Sequence, residues 1–275
     1  MRFGISTLAT DEGVRPDKIA EEAERRGFES LFFSEHSHIP VSTKYPLPGQ
    51  ELPRSYCRSL DPFIAMTVAT EATSTLLVGT GVAILVQRDL LYTAKEAATL
   101  DYLSNGRLIL GVGVGWNLDE MRNHGIDPHT RGALLDEQIP ALRALWTQDR
   151  GEYHGEYVDF DPVLTWPKPI QHPHPPIYVG GSSRAAADRA RRLDCGWMPI
   201  AVDEPAKITS QLDLVRDGTG SDVPVTVCVL DDDVDVVAGY VDAKVERILL
   251  HLDPAPEGAT FNRLDQLAEL IDAAL

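Results

Sequence analysis

The feature that most constrains this chain is its rhythm. Short β-rich runs alternate with amphipathic helical stretches from one end to the other, eight strands in all. Residues 3–7, 30–34, 76–85, 107–113, 176–179, 196–200, 223–229 and 245–250 read as strands. Helices are expected from Pro62, capped by Asp61, and over 15–26, 92–103, 117–124, 131–146, 184–193, 204–216, 232–242 and 260–275. A small hairpin is expected over 153–160. Runs such as LFF (31–33), LILGVG (108–113) and PVTVCV (224–229) are apolar without alternation, as in strands buried on both faces. Right-handed crossovers then close a parallel sheet, and 275 residues is the usual size of one (β/α)8 barrel. The competitor is an open doubly wound sheet. No second domain or internal repeat is visible. The stretch 35–60 is too long to be a mere connection and should carry function.

Composition narrows the partners. The net charge of -17 argues against nucleic acid or an anionic membrane, although local donors could still hold a small anion. Cys57, Cys195 and Cys228 lie far apart with no C-x-x-C pair, which suits a reduced, cytoplasmic protein. The first residues lack a signal-type apolar core, and no run of about 18 apolar residues could span a membrane.

In a barrel, function sits just after the strands. The second strand ends in Glu35-His36-Ser37-His38, a carboxylate and imidazoles able to move protons or bind a metal. A metal-dependent barrel hydrolase would need more ligands, and His251 with Asp253 is the only addition on offer. The third strand carries Gly79-Thr80-Gly81-Val82. Its small residues either let the backbone touch a planar ligand or fill a crowded barrel interior. The fourth ends in Gly111-Val112-Gly113-Val114-Gly115-Trp116, with glycines on one face that clear space at the mouth. After the fifth, Gly180-Gly181-Ser182-Ser183 opens a helix. That is either an anion pocket at a helix N-terminus or a plain serine-capped turn, and the open mouth favours the anion.

Together these blocks resemble the luciferase-like monooxygenase superfamily, in its branch dependent on the deazaflavin coenzyme F420. The resemblance spans nearly the whole chain and is densest at 27–36, 97–116 and 166–183. It implies a luciferase-like barrel, His36 as the proton-handling residue, and Glu35 hydrogen-bonding the cofactor. It implies a non-prolyl cis peptide at Gly81-Val82 beside the cofactor ring. Gly113, Trp116 and Asp119 would join the cofactor site, and Gly180, Gly181, Ser182 and Ser183 would bind its phosphate. One departure matters: the family's sugar-phosphate dehydrogenases carry Glu where Trp116 stands, so a flatter or more apolar substrate is implied. The resemblance thus implies an F420-dependent oxidoreductase passing a hydride to or from a small organic substrate, with FMN as the alternative cofactor. A homodimer is implied too. Substrate choice would rest in 37–60, with Tyr45, Arg54 and Tyr56 as candidates.

Overall fold

The structure, a computed structural model, describes residues 1–44, 51–216 and 223–275. Eight parallel strands follow the expected rhythm: β1 (Arg2–Thr7), β2 (Ser30–Phe33), β3 (Leu77–Thr80), β4 (Leu108–Gly113), β5 (Ile177–Gly180), β6 (Gly196–Met198), β7 (Thr226–Val229) and β8 (Arg247–Leu252). Each pairs with the next in sequence except β6 with β7, and β8 pairs with β1. The remaining seam, β6 to β7, is drawn together by the bridges Trp197–Val225 and Ile200–Cys228. The result is a nearly closed (β/α)8 barrel, as the alternation predicts.

The barrel interior holds a small apolar cluster of Phe32, Ile109, Tyr178, Met198 and Leu249. The larger core lies between the strands and the outer helices: α1 (Pro16–Arg25), α2 (Pro62–Glu71), α3 (Leu90–Leu103), α4 (Leu118–Asn123), α5 (Arg131–Thr147), α6 (Arg184–Arg192), α7 (Ile208–Leu212), α8 (Val234–Asp242) and α9 (Glu257–Ala274). A hairpin, Gly151–His154 with Asp159–Val163, sits outside.

Two elements differ from expectation. The third strand does not run through to residue 85. It breaks at a cis peptide between Gly81 and Val82, resumes at Ala83–Ile84 and passes into a 3-10 turn, Leu85–Gln87. The Glu35 carboxylate takes the Ile84 N–H at 2.6 Å and holds the chain in that course. The helix expected over 204–216 is also shorter. A 3-10 turn, Pro205–Lys207, leads into α7, whose end tightens as Leu214 and Val215 donate to Gln211 and Leu212, three residues back.

Candidate active site

The C-terminal ends of β2, β3, β4 and β5 bring the sequence-predicted residues to the barrel mouth. His36 follows β2, and its side chain is nearly sealed from solvent. Its Nδ1 lies 2.8 Å from Glu120 Oε2. On the other side of the ring, the Trp116 indole Nε1–H donates to Nε2 at 3.2 Å. Tyr56 closes a third side, its ring centroid 5.2 Å from the imidazole and 6.1 Å from that of Trp116.

Glu120 was not among the residues the sequence pointed to. It is completely buried in the first turn of α4. Asn117 caps that helix, accepting from the N–H groups of Asp119 and Glu120, so the turn is firmly placed. Glu120 Oε1 accepts from the Ser37 backbone N–H at 3.0 Å and from the Ser37 hydroxyl at 3.2 Å. Burial pushes the carboxyl up. The His36 hydrogen bond and the Ser37 and His38 amides outweigh it and hold the group below the usual carboxylate range. Asp119, which the resemblance places in the cofactor site, is the neighbour of Glu120 in α4. A step along a helix turns a side chain by about 100°, and Asp119 pairs on the surface with Arg122 at 2.5 Å. The signal that could have found Glu120 is an N-cap residue followed three positions later by an acid, directly after a strand.

Glu35, which the resemblance makes a cofactor ligand, is held by donors of the chain itself. Oε2 takes the Ile84 N–H and Oε1 takes Arg88 Nε at 2.7 Å. Arg88 in turn reaches Asp61 and Glu96 and lies 4.6 Å over the Phe63 ring. Both oxygens of Glu35 therefore serve the chain's own donors and brace the strand after the cis peptide.

The glycines have a steric reason. A Cβ on Gly113 would fall 2.7 Å from Val82 Cγ2, and one on Gly180 2.6 Å from Val82 Cγ1. The space they clear is filled by Val82, so β4 and β5 flank the ledge that follows the cis peptide. Gly181, at φ +114°, turns the chain into α6. Ser183 caps that helix by accepting from Ala186 N–H at 3.2 Å, and the Ser182 hydroxyl accepts from Ile200 N–H at 3.1 Å. The turn is exposed, and its end of α6 attracts anions.

Other candidates are engaged elsewhere. Arg54 makes a bidentate pair with Glu12. Tyr45 lies outside the described residues. His38 contacts Ser37 and Asn123, and His251 contacts Asp253. Among the described residues, no three His, Cys, Asp or Glu are grouped to hold a metal ion, so the hydrolase reading finds no support. Among them, too, no helix is long and apolar enough to cross a membrane.

A model of the luciferase-like monooxygenase family matches residues 1–267. The chain belongs to that family. This luciferase-like chain is an oxidoreductase. It is 40% identical over 222 residues to an uncharacterized protein of Mycobacterium tuberculosis, covering 77% of this chain and 78% of that one. It is 33% identical over 202 residues to the FMNH(2)-dependent dimethylsulfone monooxygenase of Pseudomonas putida, covering 72% of this chain and 52% of that enzyme. Its fold matches that of an F420-dependent secondary alcohol dehydrogenase in complex with an F420-acetone adduct, with a TM-score of 0.77, 18% identity and coverage of 100% and 99%.

Proposed function

We propose that this luciferase-like chain is an F420-dependent oxidoreductase moving a hydride between the deazaflavin and an organic substrate. One observation carries the reading: a sealed imidazole at the barrel mouth, His36, with its Nε2 turned toward Trp116 and its Nδ1 on a buried acid. The donor set fits such a cofactor. The exposed Gly180–Ser183 turn at the N-terminus of α6 suits a phosphate, and the Val82 ledge flanked by Gly113 and Gly180 suits a flat ring. Gly81, Val82, Gly113, Gly180, Gly181, Ser182 and Ser183 would hold the cofactor.

When bound, the deazaflavin supplies or accepts the hydride. His36 handles the proton. When hydride leaves a carbinol carbon, Nε2 takes the hydroxyl proton and a carbonyl results; in reverse it returns that proton. Trp116 and Tyr56 make an aromatic wall beside His36, which excludes water and suits a flat, apolar substrate. The kinship with the FMNH(2)-dependent enzyme of Pseudomonas putida supports a second reading, FMN in the same site.

Titration with F420 and FMN separately, followed by intrinsic fluorescence, tests the cofactor. Micromolar binding of F420 with none of FMN is the expected result. Binding of FMN alone overturns it.

A further inference from the structure

We propose that Glu120 is a positioning residue that fixes the tautomer of His36; the idea rests on the reading of His36 as the proton-handling group. The partners on the two ring nitrogens have opposite and fixed hydrogen-bonding characters. An indole N–H can only donate, so Trp116 requires Nε2 to be an acceptor. An ionised carboxylate can only accept, so Glu120 requires Nδ1 to carry the hydrogen. Both constraints select the same neutral form, Nδ1–H with a bare Nε2. That form is the one able to take a proton at Nε2. Protonated Nε2 would face the Trp116 N–H donor to donor. Proton transfer therefore goes with a substrate oxygen taking the place of that indole at Nε2. Throughout, Nδ1 keeps its hydrogen and Glu120 stays a carboxylate, so the charge arriving on the ring meets a counter-charge that does not change.

What holds Glu120 is equally specific. The Ser37 backbone N–H at 3.0 Å from Oε1 cannot turn round. A glutamine here would place its carbonyl oxygen against that N–H and so present its NH2 group to His36 Nδ1. The imidazole would have to change to the Nε2–H tautomer and lose the Trp116 contact. The nearly isosteric change thus separates tautomer control from packing, because a merely structural side chain would leave the ring as it was.

The test is imidazole 15N NMR of the full chain without cofactor, labelled at histidine, with His36→Ala assigning the signals. Wild type should show a protonated Nδ1 and a bare Nε2 at His36, and Glu120→Gln should exchange them. With reduced F420 and cyclohexenone as probes, kcat/KM of Glu120→Gln should fall by about 100- to 10,000-fold. Glu120→Asp, which keeps the charge, should recover part of it. A wild-type ring bearing its hydrogen on Nε2 overturns the proposal even if no variant folds. So does a Glu120→Gln protein with unchanged signals and turnover within about threefold. If His36→Ala keeps full turnover, the proton-handling reading fails, while the NMR result still decides what Glu120 does.

Discussion

The two ends of this barrel both bury charge, but with different chemistry. At the floor, Arg247 is 1% exposed and forks onto Glu29 at 2.8 and 2.9 Å, with Thr226 as a third partner. Beside it the Tyr178 hydroxyl donates to Glu246, and burial with that neighbour pushes the phenol up to about 12. Neither guanidinium nor phenol changes charge near neutral pH. At the mouth, the buried acid Glu120 meets an imidazole instead, the side chain that does change charge there. A strongly perturbed group is therefore a weak marker of function. A buried acid paired with a switchable partner, beside a ring of strand ends, is a stronger one.

The sharpest way to break this comparison is to delete one group at each end. His36→Ala should lower kcat/KM by about 100- to 10,000-fold, the range for losing a general acid–base group, and should also lower the melting temperature, because it leaves the buried Glu120 without its imidazole partner. Tyr178→Phe should leave kcat/KM within about twofold and cost about 1 kcal/mol, the worth of one hydrogen bond. Steady-state kinetics and denaturant melts decide both. Equal losses of activity in the two variants would erase the distinction between floor and mouth.

Removing the floor's cation tests its structural side. Arg247→Ala leaves Glu29 without its principal counter-charge at the start of β2. A loss of about 3 kcal/mol is expected, because breaking one partner of a buried pair leaves an uncompensated charge. Urea unfolding would measure it, and a loss under about 1 kcal/mol would mean that water already reaches the carboxylate.

How much of this was legible in the sequence divides along the same line. The barrel was, because alternation of periods is a local signal that each strand and helix repeats. The course of the third strand was not legible from its own residues. Leu76 to Leu85 is apolar but for Thr80, yet the chain after Gly81-Val82 is held by Glu35, whose partners Ile84 and Arg88 lie 49 and 53 positions away in the chain. The Glu120–His36 contact spans 84 positions, and within α4 only its spacing from the cap Asn117 sets Glu120 apart from Asp119. Resemblance pointed to His36 and to the cis peptide, but not to the acid that holds the imidazole.

The Val82 ledge gives a smaller effect that probes the mouth as packing. Gly113→Ala drives a methyl into Val82 Cγ2 at 2.7 Å, and overpacking of this kind costs about 1–3 kcal/mol. Val82→Ala alone should also destabilise, by leaving a gap. The double variant should recover much of the loss, and thermal melts of all four proteins give the coupling. Strict additivity would show that the two side chains do not share that space.

The smallest effect is the acid arm of stability, where the two ends should behave alike. Glu120 sits below its unfolded value because His36 and the Ser37 and His38 amides outweigh burial; Glu29 does so because Arg247 outweighs burial. Each therefore contributes stability that is fully present above the unfolded carboxylate range. The contribution is lost as pH falls through the lower, folded value, where the native carboxylate takes up its proton. Melting temperature followed from neutral pH into acid should fall less steeply in Glu120→Gln and in Glu29→Gln than in wild type. Turnover then separates the two. Glu29→Gln should keep its kcat/KM, since its charge serves Arg247 and Arg2 at the floor, whereas Glu120→Gln should not. A Glu29 variant that flattens the acid arm and also abolishes turnover would mean that the floor is coupled to the mouth through the barrel interior, by way of Phe32 and Tyr178.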